Sequence, residues 1–318
     1  MIVFITYLRA LAACFITNAH YTGIYPTDYI ANGGLVGDVL FFAVSGFCLY
    51  NIRLSFTKWY GKRIIRVLFP VVIITTIYCI LGFYRLTPEE NLFWWFIYPT
   101  NYHFVASIMV LYIPFYFIMK NDILKYNLPI LMIGIGVIYF LVYVFWYDTT
   151  YYHIDKVREP MIRFLFMEAM LLGAWFRQAD TFYRNQDWKI PAIISGIFFI
   201  AYTGSKLIFS KFGVLSPYQF INQIVIFIFL YYFFSLFASL DNKLSSLSPK
   251  FKMTSEFIAN LTLEIYLVQY VLIDVIRPLF FFPVNWIILT GGIVLSAYIL
   301  HRICQPITDW TSNFFEKV

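Results

Sequence analysis

Residues 127–147 read NLPILMIGIGVIYFLVYVFWY, a run without a charged side chain that closes on Trp146 and Tyr147. At 1.5 Å of rise per residue, such a run reaches about 30 Å as a helix, the thickness of a bilayer's hydrocarbon core. Inside lipid every backbone N–H and C=O needs a partner within the protein, and a helix supplies one for each. The stretch therefore predicts a transmembrane helix, and the aromatic pair at its end suits the headgroup level.

Nine further stretches read the same way, giving ten candidates at 3–23, 35–52, 67–85, 102–119, 127–147, 160–177, 191–209, 218–239, 257–277 and 286–304. The first and sixth carry charge. Composition points the same way: 61% of the 318 residues are apolar and 13% charged, against about 25% charged in a soluble domain. So little polar surface cannot cover a water-facing exterior. The expectation is an all-α integral membrane protein of about ten transmembrane helices in one bundle, a single domain over 1–318. The connecting loops are too short to hold a separate soluble domain.

The net charge is +6. With no basic helix and no aromatic RNA-binding signature, nucleic acid is excluded as a partner. The charge is explained by loops on the cytoplasmic side. With the N-terminus inside, 15 of the 23 Lys and Arg residues fall in inner segments and 7 in outer ones, Arg158 among the latter, while Arg9 lies in the first span. That split predicts a multi-pass cell-membrane protein with both termini cytoplasmic. The first run contains Arg9 and His20 and lacks a small-residue cleavage site, so it reads as a retained helix. Cys14, Cys48, Cys79 and Cys304 all lie in apolar runs without metal-type spacing, and no metal site is expected.

Polar residues inside such runs carry the chemistry. Arg9 and His20 are 11 residues apart, three turns plus about 20°, which places them on one helical face about 16 Å apart. An arginine at a span's centre costs roughly 2.5–3.5 kcal/mol on insertion scales, and such residues tend to face a polar cavity. The plainer readings are a snorkelling arginine and an interfacial histidine. Asp38 and Ser45, seven apart, share a face of the second span. Ser45 and the nearby glycines permit close approach of another helix. Asp38 either orients the His20 ring or serves as an interfacial carboxylate or cap. Arg63 and Arg66, three apart beside Lys62, either grip phosphate through forked hydrogen bonds or anchor the helix at the inner surface.

Other polar groups fall in or beside the runs. Glu168 and Glu264 line a cavity or pair with a buried arginine. Asp148 and His153, after Trp146 and Tyr147, suit sugar stacking or belong to an interfacial belt. His103 reads as structural and His301 as inert.

The pieces YLRALAACFITNAH, GGLVGDVLFFAVSGF and KRIIRVLFP resemble the conserved blocks of the membrane acyltransferase 3 family, whose members O-acylate bacterial surface glycans. Two later blocks resemble it with departures: Val105 follows His103-Phe104 where Trp is common, and Gln269 replaces His after Glu264-Ile265-Tyr266-Leu267-Val268. The blocks span residues 7–269. The resemblance implies acetyl-CoA as donor, held by Arg63 and Arg66 with Lys62 beside them on the basic face. It also implies Arg9 and His20 as the catalytic motif of the first helix and a glycan acceptor presented from the outer side. His20, with an ordinary pKa near 6.5, suits removal of a hydroxyl proton at neutral pH, either for direct attack or after carrying the acetyl group itself. The competing readings are a transporter or flippase for a lipid-linked sugar or small solute, and a noncatalytic assembly or sensor protein. No Gly-x-Ser-x-Gly elbow and no His-x4-Asp pattern at His20 occur.

Overall fold

The computed structural model describes residues 2–86, 91–156 and 161–317, so Arg158 lies outside the described residues. Among these, the regular structure is helical and no strand occurs. The α-helices are α1 Val3–Ala19, α2 Gly34–Leu49, α3 Phe56–Ile80, α4 His103–Lys120, α5 Asp122–Tyr126, α6 Leu128–Trp146, α7 Ile162–Gln178, α8 Asp180–Arg184, α9 Lys189–Lys211, α10 Phe220–Ser239, α11 Asp241–Ser245, α12 Pro249–Asn260, α13 Thr262–Ile276 and α14 Val284–Lys317.

Six helical segments among the described residues are long and apolar enough to cross a membrane: Phe56–Ile80, Phe93–Lys120, Leu128–Trp146, Lys189–Lys211, Phe220–Ser239 and Val284–Phe315. A seventh follows if α12 and α13, bent by 69° at a short break, form one broken span. Ten were expected. Each of the ten stretches carries helix, but α1, α2 and α7 have 17, 16 and 17 residues. They reach about 24–26 Å, short of a core about 30 Å thick. Hydropathy reads past helix ends: the run over 3–23 holds a helix that stops at Ala19.

The helices group into two compact units where a single bundle was expected. The first comprises Met1–Arg9, Asp38–Ile52 and Pro114–Lys252; the second comprises Ala10–Gly37, Arg53–Ile113 and Met253–Val318.

In the first unit, α2 and α7 meet backbone to backbone. A Cβ on Gly46 would stand 1.8 Å from the Met170 carbonyl oxygen, and one on Gly173 would stand 1.8 Å from that of Ala43. Only hydrogen fits at both places. Lipid tails are as apolar as leucine, so helices here associate through close packing rather than through water exclusion, and small residues set how close they come. The Phe42 and Phe166 rings stack beside this crossing with centroids 4.2 Å apart. The start of α1 is tied down by charge. The Phe4 N–H donates to Asp241 Oδ1 at 2.8 Å, and Asp241 Oδ2 receives Arg184 at 2.7 Å. A carboxylate at a helix N-terminus satisfies an orphan donor and complements the helix dipole.

The loop between α6 and α7 is held by amides at the N-cap and first turn of α10. Gln219 Oε1 accepts from the N–H groups of His153 and Ile154 at 2.9 Å, and its Nε2 donates to the Tyr151 carbonyl at 3.0 Å. Gln223 Nε2 donates to the Ile154 carbonyl at 2.9 Å. Spacing of three and four puts Gln219, Asn222 and Gln223 along one helical edge.

In the second unit, α3, α13 and α14 pack together. Four contacts fix their register. Glu264 meets His301 and Gly292 lies beside Ile276, so α13 and α14 are antiparallel. Gly61 lies beside Phe315, and the Tyr78 hydroxyl donates to the Val268 carbonyl at 2.9 Å, so α3 runs antiparallel to α14 and parallel to α13.

Gly46→Ala or Gly173→Ala should destabilise the protein by about 3 kcal/mol or more, because a methyl group overlaps backbone that has no rotamer to move. Gly134→Ala, on α6 with open space around it, serves as the control and should be neutral or slightly stabilising. Thermal melting of the detergent-purified protein measures all three, and a Gly46→Ala variant that melts like the parent would refute the crossing.

Candidate active site

Helix α1 ends one residue before His20. The His20 N–H closes a turn on the Thr17 carbonyl at 3.1 Å, so the shared-face argument for Arg9 and His20 runs one residue beyond regular helix. The segment that follows is clasped from several sides. Asn18 Nδ2 donates to the carbonyls of Ile30 at 2.8 Å and Asn32 at 2.9 Å, while its Oδ1 accepts from the Tyr25 hydroxyl at 2.7 Å. Gly23, at φ +76°, donates its N–H to Asp28 Oδ1 at 2.7 Å. Asn285 Nδ2 donates to the Ile24 carbonyl at 3.0 Å, and the Tyr21 and Thr290 hydroxyls lie 3.0 Å apart. The turn carrying His20 is thereby fastened to α14.

The His20 ring is half-buried. It packs edge-on against Tyr270 with centroids 4.8 Å apart, and the Tyr270 hydroxyl lies 3.4 Å from Nε2. Behind Tyr270 stand Tyr266 and Tyr102, with centroids 5.6 and 6.0 Å from it. The Tyr102 and Tyr84 hydroxyls are 3.1 Å apart. One turn of α13 thus presents Tyr266, Gln269 and Tyr270 together, the i, i+3, i+4 spacing of one face. Gln269 is fully buried, and neither its Nε2 nor its Oε1 has a hydrogen-bond partner among the described residues. An unpaired buried polar group costs about 1–3 kcal/mol.

Further along α13 is Glu264, 6% exposed, whose Oε1 lies 2.8 Å from His301 Nδ1. The expected arginine partner is a histidine, and the histidine read as inert is held by a buried carboxylate.

The register gives an axial order. Gly61 is level with Phe315, so Arg66 is level with residue 310, nine residues from His301 or about 14 Å. From Glu264 to Tyr270 is six residues, about 9 Å. The second unit therefore carries Lys62, Arg63 and Arg66 at one end of α3 and His20 on Tyr270 toward the other. Between them, in level, come the Glu264–His301 pair and Gln269. Arg66 is exposed; Lys62 and Arg63 are half-buried.

Arg9 and Asp38 belong to the first unit. Arg9 is half-buried on α1, and Asp38 is 5% exposed on α2. The described hydrogen-bonding neighbour of the His20 ring is Tyr270, the residue that sequence reasoning missed. Its signal was the Tyr-x-x-Gln-Tyr spacing on α13.

The first unit holds a second polar cluster. Burial pushes the Asp155 carboxyl up, against hydrogen bonds from Tyr152 and Asn222 and the charge of Lys206. Asn222 Nδ2 donates to Asp155 Oδ2 at 2.5 Å and to the Tyr152 hydroxyl at 3.0 Å. His153, a candidate for sugar stacking, is buried between Tyr147 and Tyr151 with centroids 4.6 and 4.1 Å away. Asp148 is exposed and accepts from Thr150, whose hydroxyl and N–H hold its carboxyl below the usual range. Glu168 on α7 leaves Oε1 without a partner among the described residues. No group of three or more His, Cys, Asp or Glu among the described residues could hold a metal ion.

A family of acyltransferase domains matches residues 2–302. No curated protein and no solved structure matches the chain.

Glu264→Ala should lower stability by roughly 1–3 kcal/mol, less than the loss for a fully buried pair because the His301 side chain is 28% exposed. His301→Leu in that background should recover part of the loss. A melting-temperature double-mutant cycle reads the coupling, and strictly additive effects would show that the two side chains do not support each other.

Proposed function

The chain belongs to the acyltransferase 3 family, a membrane acyltransferase by that membership, and we propose that it moves an acetyl group from cytoplasmic acetyl-CoA to a hydroxyl of a cell-surface glycan. The observation that carries this reading is the axial order of the second unit: a basic pair at one end of α3, an imidazole backed by tyrosines toward the other, and polar side chains at the levels between them.

The anionic end of CoA suits Arg63, Arg66 and Lys62, because guanidinium forks match phosphate oxygens bidentately. Those residues lie at the cytoplasmic side in the proposed orientation, with both termini inside. By the register above, the levels of Arg66 and Tyr270 are about 23 Å apart, a distance that the arginine side chains and the donor's arm have to cover together. At the outer end, His20 takes the proton of the acceptor hydroxyl as the oxygen attacks the acyl carbon. Tyr270 positions the ring, and the clasped turn over 20–33 limits how far the imidazole can move. Proton transfer by a positioned base contributes about 10²–10⁴ in rate. A transporter or flippase for a lipid-linked sugar would use the same kind of buried polar groups, and the phosphate of such a substrate would suit the same arginines; what favours acyl transfer is the family membership.

The reading is tested with purified protein in lipid nanodiscs, labelled acetyl-CoA and the host's surface glycan. His20→Ala should reduce transfer by at least about 10²-fold with the melting temperature kept. Arg63→Gln and Arg66→Gln should each raise KM for acetyl-CoA by roughly tenfold with a smaller effect on kcat. Unchanged acetylation in the His20 variant would defeat the proposed base.

A further inference from the structure

We propose that the Gln269 side-chain amide holds the carbonyl oxygen of the acyl donor during transfer, an inference that rests on the acyl-CoA transfer reading above. The other buried amides show why Gln269 stands apart. Gln219, Asn222, Gln223 and Asn285 each hold hydrogen bonds to backbone or to neighbouring side chains. Gln269 is equally buried, yet both of its polar atoms lack partners. In a membrane interior no water relieves such a group, so a segment retains it where a ligand completes it.

Its position fits that ligand. Gln269 precedes Tyr270, the residue against His20, and lies five residues or about 7.5 Å along α13 from Glu264. If the donor reaches from the arginine end of α3 toward His20, its thioester comes level with Gln269. The neighbouring polar groups are already engaged: the Tyr78 hydroxyl holds the Val268 carbonyl, and Tyr84 holds Tyr102. The free amide offers an uncharged N–H donor whose strength rises as charge grows on the carbonyl oxygen.

The step balances without another reactant. His20 accepts the hydroxyl proton, and the alkoxide oxygen forms a bond to the acyl carbon. The carbonyl π pair moves onto oxygen, where the Gln269 N–H donates to it. On collapse the C–S bond breaks, its electron pair goes to sulfur, and His20 returns the proton to the thiolate. The products are the ester and free CoA.

Gln269→Leu keeps much of the side-chain volume and removes the donor. It should lower kcat by about 10²–10³-fold, the range for loss of one such donor, and change KM for acetyl-CoA by less than about threefold. Its melting temperature should stay level or rise, since no internal hydrogen bond is lost. Gln269→His, which restores an N–H, should recover at least about tenfold over the leucine variant. A binding readout separates this proposal from the base reading. With carbonyl-labelled acetyl-CoA bound and no acceptor present, the infrared carbonyl stretch should fall in the parent protein and in His20→Ala, and return to its free value in Gln269→Leu. A stretch identical in parent and Gln269→Leu, undiminished turnover of that variant, or a clear drop in its melting temperature would each overturn the proposal. Full activity in His20→Ala with a Gln269-dependent stretch would sink the base alone and leave the amide's role standing.

Discussion

In the first unit the tightest constraint is the contact of two backbones, where α2 crosses α7 at Gly46 and Gly173. Neither position has room for a methyl group, because the facing carbonyls of Met170 and Ala43 occupy the space. This is the form that helix association takes when the solvent is hydrocarbon. Without water to expel, affinity comes from dispersion at short range and from hydrogen bonds. Rings then fill the surroundings of the crossing: Phe42 on Phe166, and Phe4 edge-on against both Phe47 and Phe234. The same helix repeats the device at its other end within the second unit. There a Cβ on Gly37 would lie 2.7 Å from the Ala12 carbonyl oxygen. Helix α2 thus carries a glycine against a neighbouring backbone in each unit.

The second consequence of a lipid solvent is that polar side chains are accounted for individually. Asp241 caps α1 and takes Arg184. The amides of α10 knit the loop over 147–156. Glu264 meets His301. Each of these places a polar atom against a complementary one, as burial demands. Among the described residues, Gln269 is the buried amide that departs from that pattern, as Glu168 does among the carboxylates, and His20 is held only weakly. Among the described residues, the His20 ring has a long contact to the Tyr270 hydroxyl, and the Gln269 amide has no hydrogen-bond partner. Groups left under-satisfied in a chain that otherwise satisfies its buried amides are the ones that chemistry with a bound ligand would complete.

The apolar runs made the helices legible in the sequence, since twenty apolar residues leave the backbone no other way to satisfy itself in lipid. The spans were less legible, because hydropathy continues through turn residues: the first run reaches 23, but its helix ends at Ala19. The charge of α7 and the break at Leu261 mark places where composition and geometry part. The arginines, His20 and the glycines stood out as residues with a cost in lipid. Tyr270 and His301 did not, because their roles come from contacts between residues 250 and 37 positions apart. No local period encodes such pairings. The division into two units was equally silent, since it depends on which helices touch rather than on where each begins.

The replacement of a histidine by glutamine in the late family block has a physical logic on this helix. An imidazole can present a donor or an acceptor toward a carbonyl, and its tautomer is set by whatever holds the other nitrogen. On α13 that other nitrogen would face the same partnerless surroundings that Gln269 has now. A primary amide always carries N–H donors and remains uncharged through any change of proton balance nearby. In a site where His20 alternately takes and returns a proton, a neighbour whose hydrogen-bonding role does not alternate keeps the acyl oxygen in one place. The desolvation cost of the unpaired amide is then incurred once, on folding, and is relieved when the carbonyl arrives.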